Sequence, residues 1–438
     1  MPATLRSTWQ QTVRASPAAA ALCDATTGRV WTRAELAALG MAWAATHGSE
    51  AAGQRVVFAE SNGPEWFRIF LGLVECGAVV VALDPGEPLA AQRAVAGSVG
   101  ASLIWQGGRL ESVGARRRAT RNGPRLLKLT SGTTGVPRAL PFTDAQLLAD
   151  GRQVCATMRI RRTDSNLGCI PLGHSYGLGN LVLPLLVQGT ALVSGAPVLP
   201  QGLAAAIAAW RPTVFPAVPA LLRALAASDI DPGQLRSLRT VISAGAPLAP
   251  EIAQAFHRKF GRKIHNFYGS SETGGITYDR TDRAALTGAS VGRPLQGVRL
   301  QFGVGGRFWV LSRAVGGRGR FRPMDRGELN ARGELVLRGR AGRMVKIGGR
   351  RLDPAEVERV LRQLPAVHDA FVEAHRQRAD TLVAAVATER ATQEIRAGLQ
   401  ERLAGWKIPR KLLTLPEFPL TARGKVDGRR LRALLHGP

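Results

Sequence analysis

Hydroxyls, glycines and a terminal cation are concentrated in one run, Thr130-Ser131-Gly132-Thr133-Thr134-Gly135-Val136-Pro137-Arg138. Gly132 and Gly135 accept backbone angles that other residues avoid, so successive N–H groups can face one concavity. Ser131, Thr133 and Thr134 add hydroxyl donors, and Arg138 supplies a fixed charge on a planar donor fork. This donor set suits a polyphosphate. The Gly-Lys-Ser/Thr ending of a Walker A loop is missing. A flexible surface linker has a similar composition. The apolar Leu126 and Leu127 just upstream favour a strand that empties into a binding loop.

A second constellation is Asn266-Phe267-Tyr268-Gly269-Ser270-Ser271-Glu272-Thr273. Tyr268 can stack on a base. Ser271 can donate to a phosphate or carboxylate oxygen, and Glu272 can hold a hard cation such as Mg²⁺ between phosphates. A polar loop with a capping serine is the plainer alternative. His174 lies in Pro171-Leu172-Gly173-His174-Ser175-Tyr176-Gly177-Leu178-Gly179, a glycine-rich turn between a strand and an apolar helix. A lone histidine is more often structural than catalytic. Lys425, in Pro419-Leu420-Thr421-Ala422-Arg423-Gly424-Lys425-Val426-Asp427, is one of few lysines in an arginine-rich chain. Its compact charge on a flexible stem is able to reach into a closed site, although such C-terminal lysines are usually solvated.

Taken in order, these blocks resemble those of the adenylate-forming superfamily, which includes acyl-CoA synthetases, aryl-CoA ligases and adenylation domains. Residues 130–138 are similar to its phosphate loop, with Arg138 in place of lysine and Ala139 in place of glycine. The resemblance implies that Thr130, Ser131, Gly132, Thr134, Gly135 and Arg138 bind the nucleotide. It makes Thr133, Ser271, Glu272 (on Mg²⁺) and Lys425 the catalytic set. Gly245, Ala246 and Pro247 would line the adenine and acyl sites, Tyr268 and Gly269 would face the base, and Asp325 would accept from the ribose hydroxyls. Arg340 matches an arginine that contacts ribose or phosphate. His174 and Gly274 fall to the acid, where Gly274 and Gly275 suggest an unobstructed pocket. Gly342 stands at the family's pivot, and Lys346 and Gly349 on the face that meets the thiol.

These residues need rigid elements to hold them. Arg55-Val56-Val57-Phe58 and Ala78-Val79-Val80-Val81-Ala82-Leu83 read as buried strands, alternating with helical patterns such as the one capped by Thr32. Alternation of this kind predicts a parallel sheet with crossover helices. Asp144 to Met158 reads as a helix, and arginine-rich 115–121 as a solvated connection. The expected fold class is α/β: a large N-terminal domain of αβα-layered sheets with a β-barrel-like subdomain, and a small mobile α+β C-terminal domain. The expected boundaries are 1–338 and 339–438, with the hinge near Gly342.

At 438 residues with 45% hydrophobic content, the chain has the composition of a soluble globular protein. Its formal charge of +27 fits phosphate-bearing ligands, an acidic protein partner or nucleic acid, or reflects the base composition of the source genome. No aromatic-interleaved basic segment stands out, which argues against nucleic acid. Cys23, Cys76, Cys155 and Cys169 lack paired metal spacing and read as core residues in a reducing compartment. With no apolar signal core and no span of membrane length, a cytoplasmic enzyme is expected. The resemblance implies ATP-dependent activation of an aryl or fatty acid to an acyl-adenylate, then thioester formation with coenzyme A. An acidic acyl carrier protein is the alternative acceptor. A non-catalytic adenylate-binding protein of the same fold is the rival from another class.

Overall fold

A computed structural model of the chain describes residues 3–114, 123–130, 138–316, 319–340, 345–347, 350–352, 354–375, 381–403, 405–421, 424 and 426–437. The chain divides into two compact units, Met1–Leu300 with Val310–Phe321, and Gln301–Trp309 with Arg322–Pro438.

The strands of the two large sheets of the first unit are, in chain order, β1 (Ala20–Asp24), β2 (Val30–Thr32), β3 (Arg55–Ala59), β4 (Val79–Leu83) and β5 (Leu103–Gln106). They continue with β6 (Arg109–Ser112), β7 (Leu126–Thr130), β8 (Arg138–Phe142), β9 (Ser165–Leu167) and β10 (Ala191–Ser194). The series ends with β11 (Val214–Ala217), β12 (Thr240–Ser243), β13 (Ile264–Ser270), β14 (Gly274–Tyr278) and β15 (Arg293–Pro294). They form a six-stranded sheet, β6-β5-β3-β4-β7-β8, and a nine-stranded sheet, β15-β14-β13-β12-β11-β9-β10-β1-β2.

The valine-rich runs of β3 and β4 are strands covered on both faces, and the packing shows why no polar residue interrupts them. Val56, Phe58 and Val80 point into one core with Trp66, Phe67 and Phe70, whereas Val57, Val79 and Val81 point into another with Val95 and Val99. The helices Pro64–Cys76 and Leu89–Val99 supply those two covers. In the other sheet, Phe215, Val241 and Ile264 pack against Leu222, Ile252 and Phe256. Capping boxes start three of the described helices: Thr4 with Ser7 opens Leu5–Ala15, Thr32 with Glu35 opens Arg33–Ala51, and Thr143 with Gln146 opens Asp144–Met158.

The second unit carries a three-stranded sheet of Asp369–Ala374, Leu382–Ala387 and Lys411–Leu415. Val357, Leu361, Val372, Ala384, Val386 and Ile395 close one face, and Val383, Ala385, Leu431 and Leu435 the other. A separate hairpin pairs Asp325–Leu329 with Leu335–Arg340.

The four cysteines are free. Burial pushes the Cys155 and Cys169 thiols up to about 12, which makes them inert packing groups. Among the described residues, no helix is long and apolar enough to cross a membrane.

Two expectations follow from this packing. Gly72 faces helix Arg33–Ala51 where a Cβ would overlap the Trp43 ring. Gly72→Ala therefore lowers stability by about 1–3 kcal/mol in denaturant unfolding. Half-buried His265 sits with Nδ1 2.8 Å from the Asp279 carbonyl. Burial lowers its pKa below the ordinary 6.5, partly opposed by that carbonyl. The unfolded chain therefore takes up the proton first as pH falls. The contribution is complete above the ordinary value and is lost as pH drops through the lowered one. The thermal midpoint should fall between about pH 7.5 and about pH 5.5, and less steeply in His265→Gln.

Candidate nucleotide and acid site

The strands β9, β11, β12 and β13 run parallel, so their carboxyl ends lie on one side of the nine-stranded sheet. In the six-stranded sheet β3, β4 and β7 are likewise parallel. Segments leaving the two sets of carboxyl ends are bonded to each other. His174, beyond β9, has Nε2 2.9 Å from Asp84 Oδ2, just beyond β4. Asn62, beyond β3, donates to the carbonyls of Gly168 and Ile170 at 3.0 and 2.8 Å and accepts from the Leu172 N–H at 3.0 Å. Segments at the carboxyl edges of the two sheets are thus tied to each other, and that edge is the usual place for ligands in open α/β sheets.

The predicted adenine-side residues stand on adjacent strands of this edge. Gly245, Ala246 and Pro247 are exposed in the turn after β12. Gly245 has φ +88°, a left-handed angle that a side chain would strain. Beneath them Ser243 is buried, and its Oγ has no hydrogen-bond partner among the described protein groups. One strand over, β13 ends in Tyr268, Gly269 and Ser270, with a register shift between Tyr268 and Gly269 in its pairing with β14. Ser271 and Glu272 are half-exposed in the connecting turn, and Thr273 is fully buried. Ser270 Oγ lies 3.1 Å from Thr273 Oγ1, which donates to the Gly274 carbonyl at 3.0 Å. The turn is therefore pinned from below while Ser271 and Glu272 face outward. An aromatic ring, a hydroxyl and a carboxylate beside a glycine turn are a donor set that fits a nucleotide with a divalent cation on its phosphates.

Two side chains that the sequence reading passed over hold this edge together. The hydroxyl of Tyr176 donates to the carbonyls of Ala217 and Ile242 at 3.3 and 3.2 Å, tying β11 to β12, and burial raises its pKa well above 10. Asp84 supplies the partner of His174, although the sequence signal there, Asp84-Pro85-Gly86, marks only the end of a strand. Gly274 also acquires a different explanation. Its φ is +69°, and the Asp150 carboxylate occupies the place a Cβ would take. A Cβ on Gly275 would meet Leu295 and Phe267. Close packing, and not an open pocket, accounts for both glycines.

The remaining predicted residues divide between backbone placement and no description. Thr130 and Arg138 are register partners at the ends of β7 and β8, so the stretch between them joins two adjacent antiparallel strands. In the second unit Asp325 and Arg340 are register partners, which brings two predicted ribose contacts side by side. Lys346 pairs with Arg351 in a short hairpin. Ser131, Gly132, Thr133, Thr134, Gly135, Gly342, Gly349 and Lys425 lie outside the described residues, as does the arginine-rich connection 115–121.

The family model of AMP-binding enzymes matches residues 111–303, and that of the AMP-binding enzyme C-terminal domain matches residues 356–425. The chain is 32% identical over 332 residues to p-hydroxybenzoic acid–AMP ligase FadD22 of Mycobacterium tuberculosis, covering 68% of this chain and 47% of that protein. It is 29% identical over 345 residues to indoleacetate–CoA ligase of Aromatoleum aromaticum, covering 71% and 67% of the two chains. The chain thus spans about half the length of the first of these relatives. Among solved structures, ATP-bound MatB from Rhodopseudomonas palustris aligns with a TM-score of 0.84 at 22% identity, covering 99% of both chains. The anthranilate CoA ligase AuaEII with anthranoyl-AMP aligns with a TM-score of 0.84 at 20% identity, covering 100% and 98%. At these identities the likeness to solved structures is one of fold. With a large and a small unit of matching fold, the two family models on successive parts of the chain, and the Tyr268–Glu272 turn at the carboxyl edge, this chain belongs to the adenylate-forming, AMP-binding enzyme family.

Proposed function

We propose that this protein activates an aromatic carboxylic acid with ATP and transfers the acyl group to a thiol. The observation that carries the reading is the half-exposed Ser271–Glu272 turn, standing beside the glycine turn 245–247 at the carboxyl edge of parallel strands. Support for an aryl acid over a fatty acid comes from the two relatives, whose names specify p-hydroxybenzoic acid and indoleacetate.

In the first step the acid's carboxylate oxygen forms a bond to the α-phosphorus of ATP. The bond between that phosphorus and the bridging oxygen to the β-phosphate breaks, and pyrophosphate leaves with the electron pair. Both reactants are anions, so catalysis consists largely of positioning and charge neutralisation. Tyr268 stacks on the base, Ser271 donates to an oxygen of the reacting groups, and Glu272 would hold Mg²⁺. When bound, that ion screens the phosphate charges. Thr130 to Arg138 cradle the phosphates, Asp325 and Arg340 hold the ribose, and Lys425 meets the charge that grows on the reacting oxygens. His174, fixed by Asp84, borders the acid.

In the second step the thiol sulfur bonds to the acyl carbon, AMP leaves, and the thiol proton passes to solvent. The segment 339–438 turns about Gly342, withdrawing Lys425 and bringing the Lys346–Gly349 face to the thiol, so that one site serves both reactions. Coenzyme A is the acceptor in this reading, and the cytoplasm its compartment. The charge of +27 suits an acidic carrier protein as the alternative acceptor.

Wild-type protein should catalyse ATP–pyrophosphate exchange with hydroxybenzoates, salicylate or indoleacetate. Silence with these and with fatty acids would remove the reading in favour of a non-catalytic adenylate binder. Lys425→Ala and Glu272→Gln should each lower the exchange rate by about 10²–10³. His174→Ala should raise KM for the acid by about ten-fold or more while leaving KM for ATP near the wild-type value.

A further inference from the structure

A buried ion pair lies directly beneath the Glu272 turn. Lys128 is on β7, two residues before Thr130, and its side chain is 2% exposed. Its Nζ is 3.9 Å from Oδ2 of Asp150, whose side chain is 3% exposed on helix Asp144–Met158. The same ammonium sits 4.2 Å from the centroid of the Phe142 ring on β8, where the π face favours a cation. Asp150 reaches the other way. Its Oδ1 accepts the Gly275 N–H at 3.0 Å, on β14 just past the turn. A Cβ on Gly274 would overlap this carboxylate, and one on Gly179 would lie 3.4 Å from it, so the backbone is closed around it on two sides.

Burial lowers the Lys128 pKa, opposed first by the charge of Asp150 and then by that of Glu272. Burial raises that of Asp150, opposed first by Lys128 and then by the Gly275 N–H. Lys128 therefore feels two carboxylates, one that holds it from the helix and one that faces the site. Desolvation offsets much of the attraction in such a pair, so it is a poor source of stability. What the geometry does supply is a fixed connection: strand β7, which feeds the hydroxyl-rich loop, is joined through two side chains to the turn that bears Glu272.

We propose that Lys128 and Asp150 are positioning residues for the nucleotide end of the site, setting the place and the electrostatic surroundings of Glu272 relative to the carboxyl end of β7. This rests on the nucleotide reading given above. Neither residue touches the reacting atoms. Removing the pair breaks the tie between β7 and β14 and takes away the positive charge that Glu272 faces.

The test measures MgATP binding by calorimetry across a Mg²⁺ titration, alongside the thermal midpoint. The full-length wild type is compared with Lys128→Met and with Lys128→Met/Asp150→Leu. The single variant leaves a buried carboxylate unpaired and should lower both readouts. The double variant removes both charges and should regain thermal stability, yet bind MgATP at least about ten-fold more weakly, with an altered Mg²⁺ requirement. A double variant with restored stability and wild-type MgATP affinity overturns the proposal, because the pair is then structural only. If the double variant does not fold, Asp150→Asn carries the test, with binding measured well below its lowered midpoint because Lys128 then lacks its partner. Weakened MgATP binding with an altered Mg²⁺ requirement supports the proposal, and unchanged binding overturns it. Wild-type protein that binds no MgATP overturns the nucleotide reading and this inference together, whereas variants that match a binding wild type overturn this inference alone.

Discussion

In a parallel ladder every strand ends on the same side, and the chain must leave each one there before crossing back over a helix. That constraint places Asp84, Thr130, Cys169, Val218, Ala244 and Ser271 at carboxyl edges even though they are spread over nearly half the chain. No side chain has to draw these segments together. The sheets do so, and the side chains then need only close the seam. Asn62 and the Asp84–His174 pair perform that closure between the two sheets, and Tyr176 performs it between β11 and β12.

The polar groups at this edge divide by depth. Lys128, Asp150, Thr273 and Ser243 are buried and belong to the floor. Ser271 and Glu272 are half-exposed and the Gly245–Pro247 turn is exposed. The floor is expensive in desolvation and contributes little net stability. The upper layer would be mobile without it, because a turn of small polar residues has few apolar contacts of its own. Position is thus what the buried groups provide, and their carboxylates and hydroxyls need never meet the substrate.

The elements and the site were legible in the sequence to different degrees. The helix capped by Thr32, helix Asp144–Met158, and the strands read at 55–58 and 78–83 follow from local pattern: a cap, and apolar runs bounded by turn residues. Tyr268 to Glu272 gathers an aromatic, hydroxyls and a carboxylate within five positions, but only the family resemblance lifts it above a polar loop. The partners of those residues were not legible. Lys128 and Asp150 are 22 positions apart, on a strand and a helix whose own patterns say nothing about each other. His174 and Asp84 are separated by 90 positions and come from different sheets. Gly274 was misread as an opening because a glycine's missing side chain looks the same in sequence whether ligand or protein fills the space. Here Asp150 fills it, and only three-dimensional packing reveals that.

In the proposed reading the nucleotide lies on the β12 and β13 ends of the first unit, with its base against Tyr268. Photolabelling of the full-length protein with an azido-adenine ATP analogue, followed by peptide mapping, tests this directly. The account requires label in the peptide carrying Tyr268, or in that carrying Gly245 to Pro247, and loss of that label when unmodified ATP competes. Competable label confined to peptides from other faces of the unit would contradict it.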